Sequence, residues 1–152
     1  MKRLVATLSA LLLMGMAVEA WAGPAEEVAQ IAAPRLQALM DGNVDAYAAA
    51  YADNAVFQSS FSPFRIEGRE AIRMFFAELI QLYPKRHVFT RQPTTRAYND
   101  DLVIQNGYSV LNWSNEKGEP STYDIRYNTV WAKTGGRWQI ADQHVSRLPA
   151  AQ

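Results

Sequence analysis

The chain has 152 residues, 49% hydrophobic and 20% charged, the balance of a single folded domain and not of a disordered tail or a two-domain protein. Its 15 basic and 15 acidic residues cancel without any run of five like charges, which argues against a nucleic-acid partner. It has no cysteine, so disulfides, thiolate metal sites, a cysteine nucleophile and a lipid-anchor cysteine are excluded, and His87 and His144 are too few for a histidine zinc cluster. No metal and no cofactor is expected.

Lys2-Arg3, an apolar run from Leu4 to Val18 and then Ala20-Trp21-Ala22 follow the order of a cleaved secretory signal. The run is about 15 residues, short of the roughly 20 that a membrane-spanning helix needs. Residues 1–22 are therefore expected to be removed, leaving a periplasmic or secreted domain over 23–152 with no membrane attachment.

Within that domain Val28, Ile31, Ala32, Leu36 and Leu39 recur at helical spacing and predict a helix over Ala25 to Met40, bent at Pro34. Asn43 can cap a second, short helix carrying Val44, Tyr47, Ala48 and Tyr51 on one face. Ala55 to Ser60 and Phe64 to Glu67 read as short extended pieces around Ser62-Pro63. Ile72, Phe75, Phe76, Leu79 and Ile80 form the apolar stripe of a third helix from Arg69 to Tyr83, ended by Pro84. Four extended runs follow: Arg86 to Tyr98, Leu102 to Asn112, Ser121 to Lys133 and Arg137 to Arg147, with turns at Asn99-Asp100, Asn115 to Gly118 and Gly135-Gly136. Tight turns pair neighbouring strands antiparallel, so the fold class is α+β, with three N-terminal helices packed on a curved antiparallel sheet.

The order of elements, together with Asp41-Gly42-Asn43-Val44-Asp45-Ala46-Tyr47, Ile66-Glu67-Gly68, Thr129-Val130-Trp131, Gly136-Arg137-Trp138-Gln139-Ile140 and His144-Val145-Ser146, resembles the nuclear transport factor 2-like superfamily, which includes the SnoaL-like and ketosteroid isomerase-like proteins. Within it the chain is most similar to the association domain of calcium/calmodulin-dependent protein kinase II and its bacterial relatives. The resemblance covers the whole domain and implies a cone, in which the sheet and two helices enclose an apolar cavity.

Strand alternation puts Tyr123, Ile125, Tyr127, Thr129 and Trp131 on one face, and Asp124, Arg126, Asn128, Val130 and Ala132 on the other. If Thr134-Gly135-Gly136 is a three-residue loop with a glycine bulge, Lys133 faces Arg137. The first set then joins Gln139, Ala141, Gln143 and Val145, and the second joins Trp138, Ile140, Asp142, His144 and Ser146. A two-residue Gly-Gly turn swaps the partners. The three-residue loop is preferred, because only then do the pocket positions that the resemblance implies share a face.

On that reading the ligand-binding candidates are Tyr51, Tyr127, Thr129, Gln143 and Val145. The resemblance adds His87, since the association domain has a histidine there lining its carboxylate-binding pocket. That domain's pocket arginines match Thr129 and Val145 here, so an anionic ligand is disfavoured and a small neutral or weakly polar one expected. Arg65, Arg91 and Arg96 are the remaining cations that could turn inward. Arg126, Trp138, Ile140 and His144 are expected on the convex face as an interface for a homo-oligomer, a homodimer or larger. Asp53, Glu67 and His144 are weak catalytic candidates; the two carboxylates suit turns better, and no nucleophile stands beside His144. The residues thus favour a self-associating binding domain over its rivals, a SnoaL or ketosteroid isomerase-like enzyme with a cavity acid-base group, or a pure oligomerisation module whose cone is closed by Tyr47, Tyr51 and Tyr127.

Overall fold

The computed structural model describes residues 23–149; the expected export signal over 1–22 lies outside the described residues. Helix α1 (Pro24–Met40) starts with proline at its first position, where the missing N–H is not needed, and continues through Pro34. Helix α2 (Val44–Ala48) is capped by the Asn43 side chain, which accepts from Ala46 N at 3.1 Å. Strands β1 (Tyr51–Ser59) and β2 (Ile66–Glu67) precede α3 (Arg69–Leu82), whose Ile72, Phe76 and Leu79 are buried at the expected spacing. Four long strands complete the chain: β3 (Lys85–Asn99), β4 (Leu102–Ser114), β5 (Pro120–Thr134) and β6 (Arg137–Arg147).

The sheet runs β2-β1-β6-β5-β4-β3, with the β3 to β6 meander antiparallel and β1 parallel to β6. Closing β1 onto β6 brings the N-terminal helices over the inner face. Arg86, from the start of β3, donates to Leu39 O at 3.1 Å, Met40 O at 3.2 Å and Ile80 O at 3.2 Å, so one guanidinium satisfies carbonyls left over at the ends of both α1 and α3. Burial lowers its pKa from the ordinary arginine value. Opposite it, Glu27 in the first turn of α1 accepts from Trp138 Nε1 at 2.6 Å and from Lys133 Nζ at 2.8 Å, tying that end of α1 to the β5–β6 hairpin.

The hairpin corrects the expected loop. Thr134 pairs with Arg137, leaving a two-residue turn in which Gly135 and Gly136 have φ of 58° and 76°, the left-handed values such a turn demands. The extra residue lies further along: Trp131 pairs with Ile140 but Val130 pairs with Asp142, so Ala141 is a β-bulge. Beyond the bulge, Tyr127 opposes Val145 and Thr129 opposes Gln143, on one face as expected. Before it the parity is reversed. Trp138 and Ile140, expected on the convex face, share the inner face with Lys133 and Trp131 and are buried within the monomer, at 7% and 0% exposure.

Candidate functional site

The inner face encloses a cavity of about 450 Å³, within the range of small-molecule sites. Leu36 and Leu39 of α1, Phe75, Phe76 and Leu79 of α3, and Phe57, Leu111 and Trp113 of the sheet form its apolar wall. Tyr127, Thr129 and Gln143 add hydrogen-bonding groups, and Val145 lies beside them. Among the described lining residues Arg35 carries the only formal charge.

Arg35 is the site residue that the sequence reading passed over. It sits four residues after Ile31 and four before Leu39, inside the apolar stripe of α1, and a charge in that register is the signal that could have found it. Its guanidinium carbon stands 4.1 Å from the centre of the Tyr47 ring and 4.8 Å from that of Tyr51. Nη2 donates to the Tyr51 hydroxyl at 2.6 Å and to Gln143 Oε1 at 3.0 Å, and the Tyr51 hydroxyl itself donates to Gln143 Oε1. Nε is buried with no hydrogen-bond partner, and no carboxylate among the described residues pairs with the guanidinium. The expectation of a neutral wall is corrected accordingly: a cation enters from the helix side, which strand alternation alone could not show.

Tyr51 is fully buried, and burial holds its phenol well above the ordinary tyrosine value while the Arg35 charge pulls the other way. Burial also raises Tyr127. Both phenols keep their protons at neutral pH and serve as hydrogen-bonding groups, not as bases. Tyr127 needs Gly107 opposite it on β4, because a side chain there would come within 2.9 Å of the Tyr127 hydroxyl.

The other candidates lie elsewhere. Val88 and Thr90 of β3 line the cavity, so His87 falls on the opposite face, where it is exposed and stacks edge-on against Phe89 at 4.1 Å; its expected place in the pocket is corrected. Asp53 is an exposed partner of Arg69 at 2.9 Å, and Glu67 an exposed partner of Arg65. His144 and Arg126 are exposed on the outer face, with Arg126 Nε donating to Ser146 Oγ at 3.0 Å. Arg91 pairs with Asp124 at 2.6 Å, also outside, and neither it, Arg65 nor Arg96 lines the cavity.

The family model of the calcium/calmodulin dependent protein kinase II association domain matches residues 24–149. No curated protein matches the chain. Among solved structures, a Xanthomonas campestris protein provisionally named for the same association domain is 28% identical, with 86% of this chain and 91% of that one covered at a TM-score of 0.75. A nuclear transport factor 2-like protein of unknown function from Pseudomonas putida is 20% identical over 80% and 84% of the two chains, at a TM-score of 0.72. A Streptomyces avermitilis protein of that family, provisionally named a dehydratase, is 12% identical over 84% and 98%, at a TM-score of 0.74. The last two likenesses are of fold alone.

Proposed function

The chain belongs to the calcium/calmodulin-dependent protein kinase II association domain family, and from that membership and the hollow cone we propose an exported binding domain that encloses a small apolar carboxylic acid and assembles with copies of itself. The observation that carries the ligand reading is Arg35. A guanidinium stays charged at physiological pH, and a charge facing an apolar cavity without a carboxylate partner is compensated when an anion enters. The apolar wall supplies the rest of the recognition by removing ring or chain carbon from water. Asp53, Glu67 and His144 stand outside the cavity, and Tyr127 in its wall and Tyr51 behind it hold their protons, which supports binding over proton transfer.

The test is calorimetry of the purified protein with benzoate and with aliphatic acids of similar size. Arg35→Leu should weaken binding by about tenfold or more, the usual worth of a hydrogen bond to a charged group. Unchanged acid affinity in that variant overturns the reading.

Self-association is proposed through the outer sheet face, where Phe89 and Tyr108 are 53% and 41% exposed and Tyr108 lies beside Arg126 and His144. Light scattering should find a dimer or larger assembly that Tyr108→Glu dissociates; a monomeric wild type overturns it. Export predicts an intact mass beginning at Gly23, and retention of Met1 on a membrane-bound form overturns it.

A further inference from the structure

Oε1 of Gln143 accepts from two donors, Arg35 Nη2 at 3.0 Å and the Tyr51 hydroxyl. A guanidinium has no acceptor atom, and the Tyr51 hydroxyl, already accepting from Arg35, turns its proton to the amide, so the two donors together fix the amide with its oxygen toward them and its Nε2 turned away. Gln143 lines the cavity and is only 6% exposed. Its Nε2 donates to no acceptor among the described residues, and it is not sealed into the packing as Arg35 Nε is. The amide N–H groups therefore open on the cavity beside the guanidinium. Tyr51 stands behind both, accepting from Arg35 at 2.6 Å and donating to Gln143, and it does not line the cavity.

We infer that Gln143 selects the ligand's head group and that Tyr51 is the positioning residue that holds the Gln143 amide in its selective orientation. The inference rests on the cone-binding reading above and deepens it. A wall of Arg35 and Gln143 Nε2 offers donors only, so it fits a head group made only of acceptors. A carboxylate meets that condition. A primary amide of the same shape does not, because its NH₂ would face the Gln143 NH₂ and leave buried donors unpaired. Selection between an acid and its amide thus depends on which way one side-chain amide points, and Tyr51 sets that direction without touching the ligand.

The experiment measures dissociation constants of benzoate and benzamide for the purified protein and for variants at Gln143, Tyr51 and Arg35. Wild type should prefer benzoate by about tenfold or more, from one charge-assisted contact and one avoided donor clash. Gln143→Glu places a carboxylate against Arg35 and should reverse the preference. Tyr51→Phe removes one of the two donors that orient the amide and should cut the preference by about threefold or more while benzamide binding holds or improves, a change in ratio that a general loss of stability does not produce. Should Gln143→Glu not fold, Gln143→Met, similar in volume and without donors, should also lower the ratio several-fold. An undiminished preference in the Gln143 and Tyr51 variants overturns the inference, and if Arg35→Leu meanwhile abolishes benzoate binding, the cone reading stands without it. A wild type that binds neither probe, or that prefers benzamide, overturns the head-group selection, and the failure to bind benzoate overturns the cone reading as well.

Discussion

The inner face of the sheet is filled on one side of the Ala141 bulge and hollow on the other. On the filled side Val28, Val103, Trp131 and Ile140 have no exposed surface, and Trp138 and Lys133 reach across to Glu27. On the hollow side the same strands present Thr129, Tyr127, Gln143 and Val145 to the cavity, and α1 offers it Ala29, Ala32 and Ala33. The backbone path is continuous through both, so the difference comes from side-chain volume and from the bulge. A tryptophan pair and isoleucine occupy the space under the first turn of α1, whereas three alanines leave the next turns thin and the volume open. Close packing and open volume are thereby assigned to different ends of one sheet.

The largest expected effect lies on the filled side. Trp131→Ala should cost about 3–5 kcal/mol in denaturant unfolding, because the completely buried indole leaves a void that rigid neighbours do not close. Leu79→Ala, in the cavity wall, should cost only about 2 kcal/mol, since it enlarges a space that already exists. Equal losses at the two positions would break the comparison and mean that the cavity wall packs as tightly as the filled end.

Next in size is Arg35. Arg35→Leu should shift unfolding by no more than about 1 kcal/mol, because loss of its hydrogen bonds and ring stacking is offset by removing a partly desolvated charge with an unpaired Nε. The same variant should lose acid binding. A loss of several kcal/mol in the ligand-free protein would instead make Arg35 a structural strut and erase the division between the two ends.

Much of this division was legible in the residues. The α3 stripe from Ile72 to Leu79 has a single consistent period, and the Gly135-Gly136 turn fixed the β5–β6 hairpin to within one residue. One irregularity was expected in that hairpin and one exists, but at Ala141 and not at the turn. Both placements put Thr129 with Gln143 on one face, while Trp138 and Ile140 were turned outward. The bulge leaves no mark in composition, because alanine, although depleted in strands generally, does not single out a bulge from a paired position. His87 was misplaced for another reason: Val88-Phe89 offers an apolar residue to either face, so parity in β3 is undetermined until Val88 is seen buried. Arg35 needed the helix and the sheet together, since nothing local to α1 says that its apolar stripe faces a void.

The smallest effect concerns the tie at the filled end, and its sign follows from Glu27. Hydrogen bonds from Lys133 and then Trp138 lower the Glu27 pKa below the ordinary glutamate value, with burial opposing them. A carboxyl whose folded pKa is depressed adds stability above its unfolded pKa, and that stability is lost as pH falls through the folded pKa. Wild type should therefore melt above Glu27→Gln at neutral pH, and the gap should close on acidification through the carboxylate range. The group is open to solvent, so the gap is small and should shrink further in high salt. Melting curves of both proteins from pH 7 to about pH 3, which spans ordinary carboxylate titration, check the point. Equal melting temperatures at neutral pH would mean that the Trp138 indole N–H, which the glutamine oxygen can still accept, holds the helix to the hairpin and that the charge on Glu27 contributes nothing.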